Sequence, residues 1–169
     1  MLKAKIVEQI EDIRNPMLFA ALQVEGHALD RHLLSDNALR QALRLKGKPK
    51  YLDDIIKVTR FFDEGDALNL IADTLTTAIS DIERWLLSDI EDDLTIKECF
   101  ERATGDGLVK NTDWSQTISM HAVTVVLRKN FRKIGRSFVV VTAYPSASLD
   151  DNDVIYDAMD AYATQKQKN

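Results

Sequence analysis

The chain has 169 residues, of which 45% are hydrophobic and 29% charged, and its formal charge is −5. That composition supports a globular core, and its acid excess excludes a surface given over wholly to nucleic acid, though not a local basic groove. The single cysteine, Cys99, excludes an intramolecular disulfide, and one cysteine with three scattered histidines argues against a structural zinc site.

No apolar run approaches the roughly twenty residues that span a bilayer. The N-terminus is amphipathic and interrupted by charge, unlike a signal peptide. Residues 2–14 read as a helix, with Ile6, Ile10 and Ile13 at helical spacing, and Asn15-Pro16 stops it. A second helix is expected from Met17 to Val24. After Gly26 a helical segment is expected over residues 27–34, with His27, Arg31 and His32 close together. Ser35-Asp36-Asn37 starts the next helix, which carries Leu39 and Leu43, with Arg40 and Arg44 one turn apart. Lys46-Gly47-Lys48-Pro49-Lys50 is a basic loop suited either to solubility or to attracting phosphate. Ile55 to Phe62 is β-branched and aromatic, and Val58-Thr59-Arg60-Phe61-Phe62 reads as a strand.

Asp63 to Asp66 turns the chain and caps a long helix over residues 67–88, whose stripe of Leu68, Ile71, Leu75, Ile79, Ile82 and Leu86 faces a core with Trp85 beside it. After the acidic turn from Ser88 to Asp93 the period changes to that of strands. Leu94 to Phe100, Ile118 to Leu127 and Ser137 to Tyr144 read as strands, Gly105-Asp106-Gly107 as a turn, and residues 130–136 as a basic connection. Ser148 to Asp151 caps a final acidic helix over roughly residues 152–164. Helices first and strands afterwards give an α+β class, N-terminal helices packed on a C-terminal antiparallel sheet.

The chemistry concentrates at two places. His27, Arg31 and His32 can move protons and stabilise an anion. Thr142 and Tyr144, two apart on a strand, share a sheet face and can donate hydrogen bonds to a phosphate, with Val139 and Val141 pointing the other way. His121 reads as an ordinary half-buried histidine, and the cluster Glu91-Asp92-Asp93 as a turn. There is no P-loop, no Gly-x-Gly-x-x-Gly, no Gly-x-Ser-x-Gly and no His-Glu-x-x-His.

In order along the chain stand Gly26-His27 and His32; Leu39 and Arg44-Leu45 leading to Pro49; Phe61-Phe62-Asp63; Ala67, Ile71 and Trp85-Leu86; Val125-Val126-Leu127-Arg128; Gly135; and Thr142-Ala143-Tyr144-Pro145. This series resembles the RNase A-like toxin domain at the C-terminus of bacterial contact-dependent growth inhibition proteins. The resemblance spans residues 26–146, leaving residues 1–25 as an N-terminal helical extension and 147–169 as a C-terminal helix and tail. It implies a kidney-shaped α+β fold with a central cleft, and a metal-independent ribonuclease without cofactor. Its site residues fall on His32, Arg44, Thr142 and Tyr144, with His27 as a second histidine; Arg40 is the alternative to Arg44. Such an enzyme would use the ribose 2′-hydroxyl as nucleophile, His32 as base or acid, Arg44 as phosphate clamp and Tyr144 as candidate proton donor, leaving a 2′,3′-cyclic phosphate. The implied partners are RNA and a neutralising immunity protein. The implied setting is the cytoplasm of a target or producing cell, reached through a larger secreted protein. The alternatives are a non-catalytic RNA- or protein-binding member of the same fold and an immunity-type module.

Overall fold

The computed structural model describes residues 1–23, 29–47, 55–130 and 137–168. Its elements run α1 (Leu2–Ile13), α2 (Pro16–Phe19), a single 3₁₀ turn (Asp30–His32), α3 (Asp36–Leu45), β1 (Lys57–Phe61), α4 (Glu64–Thr76), α5 (Ile79–Leu87), β2 (Leu94–Cys99), β3 (Gly105–Val109), β4 (Ile118–Met120), β5 (Ala122–Lys129), β6 (Phe138–Ser146) and α6 (Leu149–Gln167). The fold is α+β, as the change of period implies.

The caps are where the side chains put them. Ser35 Oγ accepts the Ala38 amide, Asp63 accepts the Asp66 amide, and Ser148 and Asp151 form a reciprocal capping box at α6. Asn15 caps α2 with Pro16 at its first position, but that helix lasts only to Phe19. The expected helix over residues 27–34 is reduced, among the described residues, to the 3₁₀ turn. Gly26, His27, Gly135, most of the basic loop from Lys48 and nearly all of the connection at 130–136 lie outside the described residues.

The long helix expected over residues 67–88 is two helices. Thr74, Thr76 and Thr77 each turn a hydroxyl back onto a carbonyl of the preceding turn, those of Leu70, Ala72 and Thr74. Such bonds compete with the helical ladder, and it breaks at Thr77-Ala78. The apolar stripe continues across the break, since Leu68, Ile71, Leu75, Ile82 and Trp85 all reach the main core.

The strands form two three-stranded antiparallel sheets, ordered β1-β3-β4 and β2-β5-β6. Gly105-Asp106-Gly107 is not a turn; it lies within β3, paired to β1 through Gly105↔Phe61 and Gly107↔Thr59. Those glycines serve close approach. A Cβ on Gly105 would collide with the Arg60 carbonyl and the Pro145 ring, and one on Gly107 would sit 2.7 Å from the Val58 carbonyl oxygen.

α4 lies on β2 and β5, and α1 packs against α4 and α5. Ile6, Ile10 and Ile13 of α1 join Ile96, Val123, Val125, Leu127, Val140 and Ala143 in one core. α3 packs Leu39 and Leu43 on Val58 and Leu108 of the other sheet. Between β5 and β6 the register runs Val126↔Thr142, then Leu127↔Val140, so Val141 is an inserted residue. The bulge reverses the alternation. Val139, opposite Arg128, therefore lies on the side of Thr142 and Tyr144, contrary to simple period-two reading, while Val140 enters the core.

Candidate active site

The face of β2-β5-β6 away from the helices presents a row set by register: Lys97 opposite Thr124, and Thr124 opposite Tyr144. Thr142 lies two residues along on the same face, opposite Val126. Tyr144 and Thr142 are half-buried, and the Thr124 hydroxyl is held by Ser146 Oγ at 2.8 Å.

The outer edge of β1 closes the other side. Alternate carbonyls of a strand point to the same edge, and two of them are occupied. Lys46 Nζ donates to the Lys57 carbonyl at 2.9 Å, and His32 Nδ1 donates to the Thr59 carbonyl at 3.0 Å. Lys46 is itself fixed because its carbonyl, with that of Gly47, receives the Lys110 ammonium. The His32 and Tyr144 rings lie 5.4 Å apart, tilted by 32°.

A carbonyl only accepts, so His32 Nδ1 carries the hydrogen, and in the neutral ring Nε2 keeps its lone pair. Burial pushes the His32 imidazole below its ordinary value; the Thr59 carbonyl pulls it up in part, and Lys46 and Arg31 push it further down. The Lys57 ammonium is lowered from its ordinary value, first by burial and then by Lys97 and Lys46. Of these lysines Lys46 thus acts on His32 itself, while Lys57 feels both Lys46 and Lys97. Lys97 is tied by its Nζ to the Ala147 carbonyl at 2.5 Å.

Of the residues expected from sequence, the structure joins His32 and Tyr144 and puts Thr142 on the same face. His27 lies outside the described residues. Arg44 is exposed in the last turn of α3, two residues before Lys46. Arg40 points elsewhere, its Nη2 donating to the Trp114 carbonyl at 3.3 Å. His121 is half-buried, as expected, and pairs with Asp151 at 2.6 Å. Lys57 and Lys97 were not singled out by sequence, because a lysine in an alternating strand looks the same whether it faces water or a cleft; only the cross-strand register separates the two. Among the described residues, no group of three or more His, Cys, Asp or Glu side chains is placed to hold a metal ion, and no helix is long and apolar enough to cross a membrane.

A sequence profile for the bacterial CdiA-CT RNAse A domain matches residues 26–145. Among solved structures, the crystal structure of a CdiA-CT/CdiI complex from Y. kristensenii 33638 aligns with a TM-score of 0.59 at 16% identity, covering 71% of this chain and 98% of that one. At that identity the likeness speaks to the fold. Comparison with curated proteins gives no match.

Proposed function

The chain belongs to the bacterial CdiA-CT RNAse A domain family, and from this premise we propose that it is a metal-independent endoribonuclease toxin that cuts RNA by attack of the ribose 2′-hydroxyl. The observation that carries the reading is the His32 ring, its Nδ1 spent on a backbone carbonyl, its proton affinity lowered, and its other side against Tyr144.

In this mechanism neutral His32 Nε2 takes the 2′-hydroxyl proton. The 2′-oxygen forms a bond to phosphorus and the bond to the 5′-oxygen breaks. Tyr144 gives its phenolic proton to that leaving oxygen and regains one from solvent. Thr142 and the lysine triad hold the charge that builds on the phosphoryl oxygens. Arg44, at the same end of α3 as Lys46, swings onto the phosphate when RNA binds, its fork of donors suited to two oxygens. His27, five residues before His32 in the sequence, assists the proton transfers. The products are a 2′,3′-cyclic phosphate and a 5′-hydroxyl. A bound inhibitor protein that neutralises the cationic face would silence the site, as an immunity partner must.

The test is cleavage of RNA in EDTA by the purified chain, beside His32→Ala and Tyr144→Phe of verified circular dichroism. The reading requires a cyclic-phosphate product from the parent and its loss from both variants. An intact substrate, in a buffer where a known ribonuclease works, removes the enzyme claim.

A further inference from the structure

A cavity of about 440 Å³ opens away from the His32–Tyr144 contact, between α3, the β1-β3-β4 sheet and the loop that joins β3 to β4. Its wall includes Arg40, Arg60, Trp114, Ser115, Gln116 and Thr117. The size is that of a small-ligand site. The two arginines differ. Arg60 is neutralised, since its Nε meets Asp106 at 2.8 Å, its Nη1 meets Asp36 at 2.7 Å, and Nη2 makes a second bond to Asp106. Arg40 has no carboxylate partner among the described residues, and the one hydrogen bond it makes to them goes to the Trp114 carbonyl. Most of its five donors are left for a ligand.

Trp114 is fixed by its indole N–H, which donates to the Val109 carbonyl at 2.9 Å, so the ring is anchored at the wall. Beside it stand the Gln116 side chain and Ser115, whose hydroxyl and backbone amide are both engaged by Asp113. Thr117 is spent on Asp106 at 2.7 Å. A guanidinium with no carboxylate partner among the described residues, an anchored indole and the Gln116 amide match, in turn, a phosphate, a base face and a base edge.

We propose that this cavity is a nucleotide-binding subsite, which seats one nucleotide of a single-stranded RNA a step or two from the scissile phosphate; this rests on the ribonuclease reading above. The connection to the reacting centre is short. His32 and Asp36, at the cavity rim, are four residues apart, at most about 14 Å of extended chain. Arg60 ties that segment down by donating to the Leu34 carbonyl at 3.1 Å. Arg60 also follows Thr59 directly on β1, so the strand that holds the histidine forms one wall of the cavity. Occupation of the subsite would thus select which residue flanks the cut.

The experiment is a titration of the full chain with each of the four nucleoside 5′-monophosphates, read by tryptophan emission. The protein has two tryptophans, and Trp85 is buried beneath Lys129 in the main core. At least one nucleotide is expected to give a saturable change that disappears in Trp114→Phe, weakens about tenfold in Arg40→Gln and survives in His32→Ala. If Trp114→Phe melts early, Arg40→Gln with its tryptophans intact still decides. No saturable change with any of the four would overturn the proposal, as would a change kept in Arg40→Gln and lost in His32→Ala, which would put the nucleotide at the reacting centre instead. Nucleoside 5′-monophosphates contain no phosphodiester for the 2′-hydroxyl to cleave. Saturable binding without RNA cleavage therefore sustains the subsite while removing the nuclease reading.

Discussion

Two histidines in this chain each bond through Nδ1, and their partners differ in kind. His32 bonds to a neutral backbone carbonyl and is otherwise surrounded by a phenol and cations, so burial leaves it a neutral base with a free lone pair. His121 bonds to Asp151, a buried carboxylate that also accepts the His121 amide at 2.7 Å and the Ser148 amide at 2.9 Å. Burial pushes Asp151 up, yet the bonds from Ser148 and His121 together hold it below the ordinary carboxylate value. The second pair locks the start of α6 to the junction of β4 and β5. In the proposed enzyme the first histidine is the reagent and the second a brace.

The largest effect that would break this contrast is on turnover. His32→Ala should lower kcat/KM by about 10²–10⁴, with an unchanged circular dichroism spectrum, whereas His121→Ala should retain activity within a few-fold at temperatures well below melting. Equal losses in both would erase the distinction.

Next comes stability. Asp151→Ala removes the N-cap partner of α6 and three bonds to a buried charge, and a melting experiment should show a loss of about 1.5–3 kcal/mol, with kcat/KM preserved in the folded fraction.

The pH dependence sharpens the contrast. Because His32 holds its proton less tightly than a free imidazole, kcat/KM should stay on its plateau through neutral pH and fall only below about 6.5. The unfolded chain binds that proton more strongly, so this group's contribution to stability is complete above about pH 6.5 and is lost as pH falls through the folded-state value. Lys46 helps depress His32, so Lys46→Met should move the acid limb of activity to higher pH. A limb that stays put would show that Lys46 acts on the phosphate alone.

The smallest effect belongs to the lysines. Lys57→Ala and Lys97→Ala should each lower the slope of log Kd against log salt by about one for a non-cleavable oligonucleotide. An unchanged slope would make them structural.

Local chemistry was readable wherever a side chain acts on its own neighbours. The caps Ser35, Asp63 and Ser148, the Asn15-Pro16 stop and the core stripe through Ile71 and Ile82 stand where the sequence puts them. What failed depends on distant partners. Gly105 and Gly107 look like a turn, because glycine's freedom and its small size leave the same mark in a sequence; the backbone that needs the space, at Val58 and Arg60, is more than forty residues away. The bulge at Val141 and the break at Thr77-Ala78 also lack a local signal strong enough to override periodicity. His32, Thr142 and Tyr144 could be named from a family likeness, but the Thr59 carbonyl that meets His32 Nδ1, and Lys46 beside it, become visible only when the chain is folded.

α1 carries one further lesson. Its residues precede the span that marks the family, yet Ile6, Ile10 and Ile13 are fully enclosed by α4, α5 and the sheet. Burial of each is worth about 1.5–3 kcal/mol, and a whole domain rests on a margin of about 5–15 kcal/mol. Cutting the gene at the start of the recognisable motif would therefore open the core that α1 closes against α4 and α5 and yield a sticky fragment. The unit that heredity preserves and the unit that physics will assemble do not share an edge, and anyone grafting this module onto a new carrier must cut at the second.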